Sequence, residues 1–320
     1  MMIRFFLGIF LSLGIFIPCS AQQYPSKPIK IIVPFPVGGI ADIYSRLVGN
    51  RWTELWGQPV VIENRTGAGG NIGADMVAKA APDGYTIGIG SIGTHAVNVS
   101  LFSKMPFDPV RDFAPICLLL EAEGLLVLHP SVPAQNVAEL ISLARSKPGG
   151  LTYASAGAGT ASHLAGELFK SMAKVDLLHV SYKGNVPAIT DLLAGQTSLI
   201  FATMPTVLPH AKAGKLRALA TIGSARSKAT PELPTVAETL PGFDVTNWVG
   251  FFAPTGTPPD IVRRLNAETA KFMQSKEIET RLVNEGARFI PMTPEQLGSF
   301  VKAEIAKWAP VVKASGAKAD

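Results

Sequence analysis

The chain has 320 residues, 47% of them hydrophobic and 17% charged, with a net charge of +5. Such a composition builds a core and excludes a disordered or low-complexity chain, and the length suits one large domain or two ordinary ones. The basic residues are dispersed along amphipathic segments instead of gathered in a stripe with interleaved aromatics, which argues against a nucleic-acid partner.

Residues 1–21, MMIRFFLGIFLSLGIFIPCSA, combine one early cation (Arg4), a long apolar run and the small residues Cys19 and Ala21. That pattern predicts a secretory signal peptide cut near Ala21, and so export to a periplasm. A lipid anchor at Cys19 is the competing assignment, opposed by Ile17 and Pro18 where small residues are wanted. Cleavage leaves 28 basic and 24 acidic residues and one cysteine, Cys117. One thiol makes no internal disulfide, and a chain of this size buries enough apolar surface without one. No later stretch offers the roughly 18 uninterrupted apolar residues of a membrane span.

Strand-type runs are predicted at 28–35, 59–64, 86–91, 125–128, 152–156, 177–181, 198–202 and 216–222. Helical patterns fall between them, at 42–56, 71–80, 137–145, 161–173 and 187–194. In the first of these Ile43, Leu47, Val48, Trp52 and Leu55 follow the 3.6-residue period. Strand–helix alternation predicts an α/β protein with mostly parallel sheets flanked by helices. Two long helices, 261–273 and 294–314, close the chain, the first entered through Pro258-Pro259-Asp260. Late helices covering two sheets imply that the chain crosses between two domains more than once. The crossings are expected near 121–124 and 243–250. They form a hinge between a discontinuous first domain (22–122 with 248–320) and a second domain (123–247).

Four Gly- or hydroxyl-rich loops each follow a strand and precede a helix: PFPVGGIAD (34–42), GSIGTHAVN (90–98), SAGAGTASH (155–163) and FATMPT (201–206). Open α/β sheets bind ligands beyond the carboxyl ends of their strands, where unpaired amides at helix N-termini receive anions. In the first loop Pro34 and Pro36 stop the strand and withdraw two N–H groups, so Gly38 and Gly39 are left to approach a ligand. Thr160 and Ser162 suit either a helix cap or a donor to a ligand. His95 and His163 each follow such a loop, and either local packing or the cleft accommodates them.

Other motifs carry less. GAGGNIG (67–73) misses the dinucleotide spacing because Ile72 stands where the third glycine belongs. Ser91 and Ser155 lack the G-x-S-x-G surroundings of a nucleophile elbow, and no nucleophile–base pair is evident. The five histidines show no metal-ligand spacing, so neither cofactor nor metal is predicted. Cys117, between Ile116 and Leu118, is expected to be buried and inert.

With these loops in place the sequence resembles the Bug family, the periplasmic solute-binding proteins associated with tripartite tricarboxylate transporters. The motifs YPSKPIKIIVPFPVGGIAD, VVIENRTGAGGNIGADMVAKAAPDGYT, YKGNVPAITDLLAGQ, LPHAKAGKLRALA and WVGFFAPTGTP stand in that family's order. The resemblance spans essentially all of the chain from Tyr24 to about Pro310. It implies a two-domain, type-II periplasmic binding protein fold, a Venus flytrap that clamps a small carboxylate, or an amino acid or related metabolite, between its domains. By position it implicates Phe35, Val37, Gly38, Gly39 and Asp42 as ligand-binding residues, with Ser91 and His95 beside them. From the other domain it implicates Gly157, Gly159, Thr160, Ser162 and His163, together with Tyr182 and Thr203. It further implies subunits of a membrane transporter, or a sensor ectodomain, as partners of a monomeric receptor.

This sequence departs from the family pattern at two places. Val37 and Ala41 replace a proline and a threonine of the first loop, and Ala202 stands where an aspartate is frequent. The missing acid favours a ligand without a free ammonium group, such as a di- or tricarboxylate or an aromatic carboxylate. The alternative function is an exported α/β hydrolase-like enzyme; a third is a signalling protein with a vestigial cleft.

Overall fold

The computed structural model describes residues 24–315 and 318, so the leader expected at 1–21 lies outside the described residues. The chain opens with β1 (Ile29–Val33), α1 (Ile40–Trp56), β2 (Val60–Asn64), α2 (Asn71–Ala78) and β3 (Thr86–Ser91). A π-type turn, Gly93–Val97, leads into the short α3 (Asn98–Leu101), and then β4 (Phe113–Ala122) runs through Glu123 into β5 (Gly124–Leu128). Next come α4 (Val137–Ser146), β6 (Thr152–Ser155), α5 (Ala161–Ala173), β7 (Leu178–Ser181), α6 (Asn185–Leu193), β8 (Leu199–Thr203), α7 (Met204–Lys212) and β9 (Arg217–Thr221). The chain ends with β10 (Asn247–Pro254), α8 (Pro259–Met273), α9 (Lys276–Asn284), β11 (Ala287–Arg288) and α10 (Pro294–Ser315).

The strands form two sheets, one ordered β11-β4-β10-β3-β1-β2 and the other β7-β6-β8-β5-β9. Both are mixed, where the sequence pattern predicts mostly parallel. The strand–helix repeats are parallel, as in Ile31 opposite both Ile62 and Ile87, and Ala154 opposite both Val180 and Ile200. The strands on either side of the crossings are antiparallel: β10 to β3 and β4, and β5 to β8 and β9. A strand that continues straight from one sheet into the next enters the second sheet against the direction of its repeats.

β4 is the longest strand and was not expected as one. Its sequence FAPICLLLEA contains a proline and no period-2 alternation, because seven of its ten residues are buried and both faces are covered. Cys117 is buried within it, and burial pushes its thiol up to about 12, which leaves it unreactive. α10 covers the first sheet. There the buried Glu304 carboxylate accepts from the indole N–H groups of Trp248 (2.9 Å) and Trp308 (3.2 Å), fixing helix to sheet. Among the described residues no helix is long and apolar enough to cross a membrane.

Candidate functional site

A cavity lies between the two sheets, lined by residues of both. One side is built by loops at strand ends. After β1, the residues Phe35 to Ala41 carry the chain into α1; after β3, Ser91 to Gly93; after β6, Ala156 and Thr160 to Ser162 at the start of α5. Asn185 and Val186 bring in the start of α6. None of the helices α1, α5 and α6 has a side-chain cap, so their first-turn N–H groups, Pro187 in α6 excepted, are unpaired by the helix where the helices begin at the cavity lining. The opposite wall is the crossing region: Ala122, Gly124, Ile222, Val245 and Val249 with Asn247. Among the described residues no Asp, Glu, Lys, Arg or His lines the cavity.

Of the sequence-predicted residues, Phe35, Gly39, Ser91, Thr160, Ser162 and Thr203 line the cavity. The other eight lie off it, for identifiable reasons. Asp42 is turned back into its own loop. Its carboxylate accepts from the Gly38 N–H (3.0 Å), from Arg46 (2.9 and 3.1 Å) and from Asn64 (3.0 Å), whose amide also holds the Phe35 carbonyl. Burial alone would raise this carboxyl, but those bonds outweigh it and hold its pKa below the ordinary value. Gly38 is thereby committed to Asp42, and Val37 points outward with 60% of its surface exposed.

His95 is packed behind the cavity against Phe252, Phe113 and Phe107, with ring centroids 4.1, 4.6 and 6.3 Å away. Its Nδ1 lies 2.9 Å from the Thr94 hydroxyl, its buried Nε2 has no partner, and burial depresses its pKa to about 3. His163 serves the loop from beneath: its Nδ1 accepts the Gly159 N–H at 3.2 Å. It stacks at 4.5 Å on His179, whose Nε2 is 2.6 Å from the Ser155 hydroxyl. Ser155 is fully buried, and its oxygen accepts from the Gly157 N–H at 3.1 Å. His179 is a neutral imidazole whose pKa burial lowers to about 4. Sequence spacing does not reveal this serine–histidine contact. The pair supports the glycine loop and lies outside the cavity lining. Gly157 and Tyr182 line a second space between the domains beside Gly67 to Gly70, and the Tyr182 hydroxyl is spent on Asp191 (2.7 Å).

The hydroxyls at the α5 entrance are ordered by one another. Thr160 donates to the Gly157 carbonyl (2.7 Å), so the 3.0 Å contact between Thr160 and Ser162 uses the Ser162 proton, and Ser162 accepts the Ala156 N–H (2.8 Å). The two halves of the protein meet over the cavity through glycines. A Cβ built on Gly69 would sit 2.3 Å from the Ala158 carbonyl, and one on Gly159 only 1.9 Å from Asn98 Oδ1. Sequence reading missed the crossing wall, Asn185 and Asn247. The unbroken apolar character of the wall segments reads as ordinary core.

This architecture, two α/β domains with a cavity between them, is that of a two-domain periplasmic binding protein. The chain belongs to the TctC family, described as the tripartite tricarboxylate transporter family receptor, which it matches over residues 44–317. It is 38% identical to protein BugT of Bordetella pertussis over 98% of this chain and 97% of that one. Among solved structures it is similar to R. palustris Rpa4515 with adipate, at TM-score 0.89 and 39% identity over 92% of this chain and 99% of that one. It is also similar to MatC (Rpa3494) from Rhodopseudomonas palustris with bound malate, at TM-score 0.86 and 36% identity, covering 90% and 100%. The protein is thus a solute-binding receptor of a family whose members are periplasmic.

Proposed function

We propose that this receptor closes its two domains on a small carboxylate that lacks a free ammonium group and hands it to a membrane transporter or a sensor, without chemistry of its own. The observation that carries the proposal is the cavity's charge balance: four helices without side-chain caps begin at its lining, and among the described residues no charged side chain lines it. Amides at helix N-termini stabilise an anion, while an ammonium would find no carboxylate partner. Relatives solved with adipate and with malate support a carboxylate ligand.

The domain partition proposed is 22–122 with 248–320 against 123–247, hinged near 121–124 and 243–250, where the chain passes between sheets. Closure would surround the ligand with aligned donors and exclude water. Of the predicted residues, those proposed to touch ligand are Phe35, Gly39, Ser91, Thr160, Ser162 and Thr203, and the mature chain is proposed to act as a monomer after cleavage near Ala21. A thermal-shift panel of mono-, di- and tricarboxylates and amino acids tests the reading. A carboxylate at about 100 times its dissociation constant should add about 2.7 kcal/mol to stability and be recovered unchanged. Consumption of the carboxylate, or stabilisation by amino acids alone, would refute it.

A further inference from the structure

The two ends of the cavity differ in chemistry, and the difference narrows the ligand. Resting on the carboxylate reading above, we infer that the site takes a carboxylate with one charged end and an apolar body, the charge at the entrance of α5 and the body against the crossing wall. At the loop end lie the unpaired first-turn amides of α1, α5 and α6 and the hydroxyl of Ser91. At the crossing end several backbone amides are already spent. The first amide of α7, Met204, donates to the Glu123 carbonyl (2.8 Å); Ile222 donates to Gly124 (3.0 Å), and Val245 to Ile222 (2.9 Å). β10, which supplies Asn247 and Val249, is hydrogen-bonded in a sheet between β3 and β4.

The side chains on that wall are Ala122, Ala202, Ile222, Val245 and Val249, with Asn247 among them. The polar side chains that line this end, Thr203, Asn185 and Asn247, are neutral. Thr206 donates to the Thr203 carbonyl (2.7 Å), which leaves the Thr203 proton for the Thr206 hydroxyl at 3.3 Å. Asn185 turns its amide nitrogen toward Thr203 (3.5 Å), and its Oδ1 is a buried acceptor without a partner. A second carboxylate placed here would face mostly apolar carbons, with no cation among the lining residues described. Burying an unpaired ionised carboxylate is among the costliest substitutions a site can meet. An apolar body gains from the same wall, and a single hydroxyl on it can donate to Asn185 Oδ1.

Hexanoate and adipate have the same six carbons and differ only in whether the far end is methyl or carboxylate. Titrated calorimetrically into the full mature protein at pH 7, hexanoate should bind at least about ten-fold more tightly than adipate. Ala202→Lys places a cation on the crossing wall and should narrow or reverse that ratio in protein whose melting stays cooperative. The wild-type pair decides the matter even if this variant does not fold. Adipate or citrate binding as tightly as hexanoate would overturn the single-charge inference and leave the carboxylate reading standing. Binding of 2-aminohexanoate with none of hexanoate, adipate or citrate bound would overturn both, as would binding of none of the four.

Discussion

Gly69→Ala is the substitution that separates closure from folding. Gly69 sits at φ +62°, in the left-handed region, where an alanine costs about 1 kcal/mol whether the domains are apart or together. Its new methyl would stand 2.3 Å from the Ala158 carbonyl of the other domain, against 3.4 Å or more for ordinary contact. The obstacle is backbone, so no rotamer relieves it, and the domains must stay roughly 1 Å further apart. Hydrogen bonds fall off steeply over that distance, and losing the equivalent of one of them, about 1.4 kcal/mol, is already ten-fold in affinity. Calorimetric titration with hexanoate should therefore show at least about ten-fold weaker binding, while urea melts of the ligand-free protein lose no more than about 2 kcal/mol. Unchanged affinity together with a large loss of ligand-free stability would refute the reasoning, because the contact would then belong to the resting fold and not to closure.

Four further outcomes are expected. Asp42→Asn keeps the size but weakens the bonds to Arg46 and the Gly38 N–H, and should cost about 2 kcal/mol in a urea melt. Val37→Ser, at a side chain 60% exposed, should change hexanoate affinity less than about two-fold and stability by no more than about 0.5 kcal/mol. Ala202→Asp puts a buried acid on the cavity wall and should weaken carboxylate binding by at least about 100-fold, read by titration. Stability should fall on acidification. His95, held to about 3, stays neutral in the fold while the unfolded residue takes a proton near 6.5, so stability present above that pH is lost as pH falls toward 3. The loss from His95 alone is roughly 2 kcal/mol at pH 5 relative to pH 8, and His95→Gln should remove that share of the slope in melts across pH.

The parts of this protein that repeat a local rule were legible in its sequence. β1 and α1 announced themselves through an apolar run, a Pro/Gly break and a 3.6-residue period, and α5 was bounded at both ends because its loop and its apolar face are equally plain. β4 and β10 were not. Their residues are covered on both faces, and Pro115 and Gly250 interrupt patterns that already lack alternation. The same limit applied at the site. Sequence position located the loops beyond the strand ends, but a loop has no period, so it did not tell a residue that faces the ligand from one that braces the loop. Asp42, His95 and His163 are all of the bracing kind: each is buried, and each is committed to a partner in or behind its own loop. The apolar wall was hidden for another reason, since Ala122, Ile222 and Val249 are brought together only by the two crossings.

The most direct test is a crystal structure of the mature protein grown with hexanoate. Its carboxylate should lie within hydrogen-bond distance of the first-turn amides of α5, with the alkyl chain against Ile222, Val245 and Val249 and the domains closed over it. A carboxylate seated on the crossing wall, or a hexanoate bound elsewhere with this cavity unfilled, would contradict the account.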